Sequence, residues 1–484
     1  MTEVLVIGGS VAGLASAYAI AQLGYEVRIL ERDPQEFPAD LATAQQQWRR
    51  PTVPQSVHSH AFGSLGTNLL LQRAPEIYSA LLTAGARPIQ LADYPSPFWA
   101  DFVPEESDRE LRMLGCRRST FEYVLRQEVM RQPGVSQTSG ATVRGLTVSN
   151  GRVTGVELED GQQLPAEFVV DASGRKSRVT RWLADAGLPV PETESSSADI
   201  TYYTRYYQQL SSEPPAPLNR GFGAGGLWDH YTAVLFLGDN GTFSISIGVL
   251  PDDVELKALR LESAFTAAIR ATPLLAPWLE PGESEPISPI YAMGGLDNSI
   301  RLPSKDAPPV PGLFSVGDSV CTTNPAYGRG VSLALAHAFG LADVLEAHPD
   351  QLETSGREFA KLTGELLAPW HGEAVANDRG RAMMWRATLA GTPLGPPPPG
   401  VLTFGAVAAV AAVDPEVWRR VARVMMSLAP PQTLYGDPEI AARVGQALAS
   451  GSVPHLPGAS REDLVDLVSR AAEAPQELFT EVAR

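Results

Sequence analysis

The sequence predicts an α/β protein that combines a Rossmann-like domain, an inserted, mainly antiparallel β-sheet domain and a C-terminal helical region. A strand, a glycine-rich turn, a helix and a second strand open the chain. Alternating strand patterns dominate after Pro189, and helical spacing prevails after about Leu352. We expect a discontinuous first domain at 1–188 and 296–350, the inserted domain at 189–295 and the helical region at 351–484.

The N-terminal pattern is typical of a dinucleotide-binding βαβ unit. A first strand leads into Gly8-Gly9-Ser10-Val11-Ala12-Gly13, and a helix and the strand Val27–Leu30 follow. Gly8 permits the tight turn, Gly13 lets the helix approach the strand, and the free N–H groups of the helix N-terminus suit a pyrophosphate. Glu31 ends the second strand, where a carboxylate can accept hydrogen bonds from a ribose. This unit alone does not separate FAD from NAD.

Later elements follow from periodicity and turn residues. Asn150-Gly151 predicts a hairpin turn between two alternating runs. The predicted helices cover Gly63–Ala84, Ser119–Arg131, Leu256–Ala271 and about Val331–Ala347; the predicted strands are Val143–Val148, Val153–Leu158, Phe168–Val170, Ile200–Leu210, Ala233–Leu237, Thr242–Leu250 and Leu313–Val316. The remaining C-terminal helices are interrupted by the proline run Pro396–Pro399, a semi-rigid crossing between helices.

Three further segments, together with the glycine turn, resemble FAD-dependent oxidoreductases of the aromatic-hydroxylase type. These segments are Arg118–Arg126, Val170–Arg178, and Val316–Ser319 followed by Asn324–Gly330. The resemblance extends over about residues 1–350 and lies nearer the epoxidase, halogenase and geranylgeranyl reductase branch, because the second segment reads Asp-Ala-Ser-Gly. It implies a Rossmann-like FAD-binding domain and an inserted substrate domain.

The resemblance also implies which residues contact FAD. Arg118 leads a cofactor-contacting helix, the Asp318 carboxylate holds a ribityl hydroxyl, and the helix that begins near Val331 directs its positive end at the flavin. The cofactor candidates are Gly8, Ser10, Val11, Ala12, Gly13, Glu31, Arg32, Arg50, Arg118, Asp171, Gly317, Asp318, Pro325, Gly328, Arg329, Gly330 and Val331.

Other candidates have weaker support from the sequence. Arg49 or Arg50 can pair a phosphate or the flavin edge, and solvent-exposed arginines are the alternative. His58, His60, Tyr327 and Arg329 are candidate catalytic residues, although a structural role suits the histidines equally. Tyr202, Tyr206 and Trp228 are candidates for substrate contact, with packing within the sheet as the alternative. The sequence indicates no metal site.

The reaction that the resemblance implies is monooxygenation through a hydroperoxyflavin, either hydroxylation or epoxidation. The substrate that the resemblance implies is a mainly apolar small molecule of the kind found as a natural-product intermediate. Reduction of C=C bonds remains an alternative. A halogenase ranks lower, because no Trp-x-Trp-x-Ile-Pro segment occurs and none of the four lysines lies in the corresponding region. A ligand-binding flavoprotein without redox turnover is the non-enzymatic alternative.

Charge and composition limit the classes of molecule that the protein is expected to bind. The net charge of -17 disfavours nucleic acid, and residues 190–300 contain 14 acidic and 5 basic side chains, which disfavours an anionic substrate. No signal peptide and no membrane-spanning segment are expected, so the predicted location is the cytoplasm. The resemblance implies that electrons come from NAD(P)H or from a separate flavin reductase. Ser173 stands where the phenol hydroxylases carry an aspartate, which disfavours direct use of NAD(P)H. The oligomeric state is left open.

Overall fold

Helices and strands alternate along the first half of the chain, and helices dominate its end. The computed structural model describes residues 3–48, 50–99, 101–219, 221, 223–392, 394–395 and 401–473; Arg49 and the proline run 396–399 lie outside this part. The strands are β1 (Glu3–Ile7), β2 (Glu26–Glu31), β3 (Arg87–Gln90), β4 (Arg112–Gly115), β5 (Val135–Ser139), β6 (Val143–Ser149), β7 (Arg152–Leu158), β8 (Gln163–Pro165), β9 (Val169–Asp171), β10 (Thr193–Ser197), β11 (Thr201–Gln209), β12 (Gly223–Leu227), β13 (Thr232–Leu237), β14 (Thr242–Val249), β15 (Ser284–Pro286), β16 (Tyr291–Met293), β17 (Asp297–Arg301), β18 (Leu313–Ser315) and β19 (Cys321–Thr322). The α-helices are α1 (Val11–Ala21), α2 (Leu41–Gln47), α3 (Ser64–Arg73), α4 (Pro75–Thr83), α5 (Arg118–Val129), α6 (Val179–Asp185), α7 (Glu262–Arg270), α8 (Gly330–Ala347), α9 (Leu352–Leu389), α10 (Phe404–Val410), α11 (Pro415–Met425), α12 (Gln432–Tyr435), α13 (Pro438–Ala449) and α14 (Arg461–Glu473).

A five-stranded parallel sheet carries the dinucleotide motif. Its strand order is β18-β9-β1-β2-β5. Val4 and Val6 of β1 pack into a core with α1, α5 and α8, whereas Leu5 and Ile7 pack into a second core with β6, β7 and α6. Both faces of the sheet are therefore covered, which explains why β1 is an uninterrupted apolar run.

The inserted domain is built on an antiparallel sheet with the order β12-β13-β14-β11-β15, and β16 also pairs with β11. A three-stranded sheet has the order β10-β17-β19; along the chain, β10 precedes the strands of the inserted sheet, and β17 and β19 follow them. The predicted fold class, a parallel nucleotide-binding sheet with an inserted antiparallel sheet and C-terminal helices, is confirmed.

The C-terminal helices cover the inserted sheet. Residues of α10, α11, α13 and α14 share one apolar core with strands β11, β13 and β14. The helix α8 has the length and hydropathy of a membrane span, but 67% of its apolar window is buried inside the protein. Its contacts with α1, α3 and α9 make it a core helix of the first domain.

Several boundaries differ from the prediction. The predicted helix Gly63–Ala84 divides at Ala74, because Pro75 starts a new helix rather than continuing the old one. The predicted helix Leu256–Ala271 is a 3-10 helix, Glu255–Arg260, followed by α7. Strand β5 was not predicted, because its mostly exposed and polar residues lack the apolar alternation of a half-buried strand.

Candidate functional site

A cleft of about 500 Å³ lies where the carboxyl ends of β1 and β9 meet the loops after β18. Open parallel sheets bind ligands at this edge, because the helix N-termini that follow the strands converge there. Most of the predicted cofactor residues line the cleft: Gly8, Ser10, Val11, Ala12, Glu31, Arg32, Arg118, Gly317, Asp318, Pro325, Gly328, Arg329, Gly330 and Val331.

The glycine turn has the geometry that its residues predict. Gly8 adopts a φ of +103°, and a Cβ there would lie 2.6 Å from the carbonyl oxygen of Ala172. Gly13 lies behind the cleft, where a Cβ would lie 1.8 Å from the carbonyl oxygen of Gly8. A side chain at either position would therefore push α1 away from the sheet.

The N-terminus of α1 opens into the cleft without a side-chain cap from the described residues. Ser10 occupies the capping position, but its hydroxyl accepts a hydrogen bond from Arg118 Nη2 at 2.9 Å and donates to Glu122 Oε2 at 3.1 Å. The backbone N–H groups of the first helical turn thus remain available to an anionic ligand.

Arg50 is not among the residues that line the cleft, and its predicted contact with FAD stays a prediction. Its guanidinium is buried, and it pairs with Glu31 at 2.9 Å, with Asp33 at 3.0 Å and with Glu122. Each nitrogen of the guanidinium donates a hydrogen bond to one of these three carboxylates, whose negative charges balance its positive charge. The sequence placed a basic residue near the cofactor loop but did not indicate that carboxylates from β2 and α5 converge on it.

Glu31 is held rigidly at the end of β2. Its Oε2 accepts from the Gly9 N–H at 2.9 Å, and its Oε1 accepts from the Asp33 N–H at 2.8 Å. The carboxylate therefore ties the glycine turn to β2 and still lines the cleft. An acceptor with further lone pairs at this place suits a sugar hydroxyl.

Asp171 lies behind the cleft wall and is not among its lining residues, so its predicted contact with the cofactor stays a prediction. The fully buried carboxylate accepts hydrogen bonds from the Ser173 N–H at 3.1 Å and from the hydroxyls of Ser173 and Ser177 at 2.5 and 2.6 Å. It shapes the turn after β9, of which Ala172, Ser173 and Gly174 line the cleft. Burial raises the pKa of this carboxyl.

Asp318 is a partly buried acidic residue of the cleft that remains available to a ligand. It lines the cleft, and its carboxylate makes no hydrogen bond or ion pair with another described residue. Burial raises the pKa of this carboxyl, while the positive charges of Arg118 and Arg175 act in the opposite direction. The preceding Gly317 has a φ of +67°, and its N–H donates to Nδ1 of the buried His337 at 3.2 Å.

The loop Asn324–Gly330 forms another wall of the cleft. Gly328 adopts a φ of +63°, and a Cβ there would lie 2.7 Å from the Ala61 side chain. Arg329 is buried and pairs with Glu373 of α9, and the N-terminus of α8 follows at once. The loop therefore directs a helix N-terminus and its backbone N–H groups toward the cleft.

The two candidate histidines both line the cleft. His58 Nδ1 lies 3.4 Å from the Thr204 hydroxyl, and His60 Nδ1 lies 2.9 Å from the carbonyl oxygen of His58. Burial lowers the pKa of His58 to about 4 and that of His60 to about 3, so both rings are neutral at pH 7.

The aromatic candidates lie outside the lining of the cleft. The Tyr202 hydroxyl donates to Asn324 Oδ1 at 2.7 Å, and the Tyr206 hydroxyl donates to the His58 carbonyl at 2.7 Å. Trp228 stacks on Tyr231 with 4.5 Å between ring centroids, and Tyr327 donates to Asp378 at 3.0 Å. Tyr202 and Tyr206 therefore bond to residues of the cleft wall, whereas Trp228 packs in the core of the inserted sheet. The predicted substrate contacts of these three residues and the catalytic role of Tyr327 stay predictions.

Several lining residues were not singled out as contacts. Thr142 and Glu159 border the part of the cleft next to β6, and Met293 and Leu367 contribute apolar surface. Arg175, Lys176 and Arg178 form an exposed basic rim that carries the positive charge expected beside an anionic ligand.

The described residues fit a flavin dinucleotide. The site offers an uncapped helix N-terminus for a pyrophosphate, an unpartnered carboxylate for a sugar or ribityl hydroxyl, and basic side chains at the rim. The glycines at 8 and 13 keep the approach free of side chains.

Comparisons with known proteins agree with this geometry. The tryptophan halogenase family model matches residues 34–186. Protein Rv3254 of Mycobacterium tuberculosis (strain ATCC 25618 / H37Rv) is 25% identical over 408 residues, 77% of this chain and 79% of that protein. The chloroplastic zeaxanthin epoxidase of Nicotiana plumbaginifolia is 28% identical over 177 residues, 37% of this chain and only 25% of the enzyme.

Solved structures extend the likeness over most of the chain. The crystal structure of PqsL, a probable FAD-dependent monooxygenase from Pseudomonas aeruginosa, superposes with a TM-score of 0.57 at 14% identity and covers 80% of this chain and 99% of PqsL. At this identity the match concerns the fold. With the motifs and the cleft, it confirms the predicted resemblance: the chain has the fold of the FAD-dependent oxidoreductases of the aromatic-hydroxylase type.

Proposed function

We propose that this protein is an FAD-dependent monooxygenase that transfers one oxygen atom of O₂ to a neutral, mainly apolar small molecule. The proposal rests on one observation: the uncapped N-terminus of α1, the unpartnered Asp318 carboxylate and the loop before α8 all line the same cleft. When bound, FAD would supply the activation of O₂. The second oxygen atom leaves as water after uptake of two electrons and two protons.

The chain's own residues would hold and orient the cofactor. The first turn of α1 receives the pyrophosphate, and Arg118 lies beside it through Ser10. Asp318 accepts hydrogen bonds from ribityl hydroxyls, and Glu31 accepts from the ribose. The N–H groups at the start of α8 would favour negative charge on the bound ring.

The substrate part of the cleft favours an uncharged molecule. His58 and His60 are neutral at pH 7, and the charge of Arg329 is balanced by Glu373. Met293, Leu333 and Leu367 supply apolar surface. A neutral substrate with hydroxylatable or epoxidisable carbon loses the least solvation energy on entering such a site.

The finer features of the proposal follow from the sequence motifs. Ser173 in place of an aspartate favours reduction by a separate flavin reductase over direct use of NAD(P)H. A natural-product intermediate is the substrate class, and the cytoplasm suits a chain whose described cysteines are both free. We propose 1–188 with 296–350 as the cofactor domain, 189–295 as the substrate domain and 351–484 as the helical region.

The test is a mass-balance experiment with ¹⁸O₂. The purified full chain, FAD, NADPH and a flavin reductase are incubated with a panel of neutral aromatic and alkene compounds. We expect a product heavier by one ¹⁸O atom, absent under anaerobic conditions. A product heavier by two hydrogens, or no binding of FAD by the protein, would overturn the proposal.

Halogenation is the second candidate, because the family model that matches residues 34–186 is that of tryptophan halogenases. Only one lysine, Lys176, lies in that range, and it belongs to the exposed basic rim of the cleft. Adding chloride or bromide to the same incubation separates the two reactions. A halogen in place of hydrogen would favour this candidate, whereas ¹⁸O incorporation unaffected by halide favours monooxygenation.

A further inference from the structure

The long helix α9 reaches the cleft loop Asn324–Gly330 through two buried acidic side chains. Asp378 is 1% exposed and Glu373 is 9% exposed. Both lie in the region after residue 350, for which the sequence indicated no chemistry. Since buried carboxylates are costly unless paired and hydrogen-bonded, their partners identify what they stabilise.

Asp378 accepts hydrogen bonds from four side chains of three chain segments. Its Oδ1 accepts from Asn324 Nδ2 at 2.7 Å, from the Tyr327 hydroxyl at 3.0 Å and from Arg381 Nη2 at 3.1 Å. Its Oδ2 accepts from Asn298 Nδ2 of β17 at 2.8 Å. The Asp378 carboxylate therefore links α9 and β17 to Asn324 and Tyr327, which lie at the two ends of the first turn of the loop.

Asn324 passes this constraint to the loop backbone. Its Oδ1 accepts from the Ala326 N–H at 3.1 Å and from the Tyr202 hydroxyl at 2.7 Å, and its own N–H donates to Asn298 Oδ1 at 2.7 Å. Because the Nδ2 group donates to Asp378 and Oδ1 accepts two hydrogen bonds, only one orientation of the Asn324 amide satisfies all of these bonds. The loop is therefore fastened to α9 and to β11 of the inserted sheet at one residue.

Arg329 provides the second attachment. Its guanidinium pairs with Glu373 and lies between the rings of Tyr327 and Trp370, 4.8 and 4.7 Å from their centroids. Trp370 and Glu373 both belong to α9. This sandwich holds the residue that immediately precedes α8, and so it orients the helix N-terminus that opens into the cleft.

We propose that Asp378 is a positioning residue that holds the loop Asn324–Gly330, and with it the N-terminus of α8, in the conformation that receives the flavin. Only the identity of the bound group rests on the proposed function; the constraint on the loop does not. The C-terminal region thereby has a role in the cleft, since α9 supplies the carboxylate that the loop lacks.

The test compares Asp378→Asn with Asp108→Asn in the full chain. Asp108 is an equally buried carboxylate that pairs with Arg419 of α11, away from the cleft, so it controls for the loss of a buried ion pair. Hydrogen–deuterium exchange is followed in residues 322–331 without added FAD. We expect exchange there to accelerate about tenfold or more in Asp378→Asn and to stay unchanged in Asp108→Asn.

A second measurement concerns the cofactor. We expect Asp378→Asn to bind FAD about tenfold more weakly and to shift the visible flavin bands, with neither change in Asp108→Asn. The proposal would be overturned if Asp378→Asn showed the wild-type exchange rate in 322–331 and the wild-type affinity for FAD. If wild type itself binds no FAD, the proposed function fails, and the exchange result still decides on Asp378. If Asp378→Asn does not fold, Tyr327→Phe removes one bond to the same carboxylate, and unchanged exchange in that variant overturns the proposal.

Discussion

Asp318 and Arg50 are both charged side chains near the cofactor motifs, but they differ in whether other residues of the protein pair with their charge. Arg50 has its charge balanced by Glu31, Asp33 and Glu122, whereas Asp318 has no hydrogen-bonding partner among the described residues. A partly buried carboxylate without a protein partner loses part of its hydration, which hydrogen bonds from a ligand can replace. We therefore expect Asp318, rather than Arg50, to contact the cofactor.

Replacing Asp318 by alanine should remove the main acceptor for the flavin side chain. We expect Asp318→Ala to weaken FAD binding by roughly ten- to a hundredfold, because hydrogen bonds to a carboxylate are stronger than neutral ones. Titration of the flavin-free protein with FAD, followed by flavin fluorescence, measures this. Asp306→Ala, an exposed carboxylate, is the control and should bind normally. Full flavin occupancy in Asp318→Ala would contradict the placement of this residue.

The neutral histidines make stability depend on pH. The pKa of His58 is about 4 in the folded protein and about 6.5 when unfolded. As pH falls from 7 to 5, only the unfolded chain takes up a proton at this ring, so the free energy of unfolding decreases by about 1–2 kcal/mol for His58 alone. Urea titrations at the two pH values measure the decrease.

The variant His58→Gln should lose correspondingly less stability between pH 7 and pH 5 than the wild type. The exposed His455 supplies the control for replacing a histidine by glutamine. An identical decrease in His58→Gln and wild type would show that this ring is not kept neutral by burial.

At the scale of elements, the β1–α1 unit could be predicted because its signals are local. Val4–Ile7, the glycines and Glu31 lie within one short stretch, and both elements agree with the prediction to within a few residues. Strand β5 and helix α2 could not, since their residues carry weak apolar periodicity and depend on neighbours for their conformation.

Gly13 tests how closely α1 must approach β1. A Cβ at this position would lie 1.8 Å from the Gly8 carbonyl oxygen, so Gly13→Ala should cost about 3 kcal/mol of unfolding free energy and weaken FAD binding. Gly364→Ala on α9, where a Cβ meets nothing within 4 Å, should instead stabilise by about 0.5–1 kcal/mol. Urea denaturation of both variants compares them, and equal stabilities would refute the close approach.

At the scale of the whole molecule, the last helices complete the inserted domain. Helix α14 packs on α7, and Arg461 at its start pairs with the buried Asp253 and with Glu255. The inserted sheet and the C-terminal region therefore share one core, although they are far apart along the chain.

Replacement of Arg461 should therefore lower the stability of the inserted domain. Arg461→Ala leaves the buried Asp253 without its partner, and we expect a cost of about 2 kcal/mol, less than for a fully buried pair because Arg461 is partly exposed. Arg470→Ala breaks an exposed pair with Asp466 and should cost under about 1 kcal/mol. Chemical denaturation gives both values; a smaller effect for Arg461→Ala than for Arg470→Ala would contradict this view of α14.

The sequence by itself determined the dinucleotide unit, the insertion of an antiparallel domain into the Rossmann-like one and the resemblance to flavin-dependent oxidoreductases, because glycine conformation and apolar periodicity act over a few neighbouring residues. Only the tertiary structure decided which charged groups remain free for a ligand. Asp378 and Asn298 are 80 residues apart and Arg50 and Glu122 are 72 apart, yet each pair is in contact. Such pairing depends on how the helices pack on the sheets, and it has no local signal in the chain.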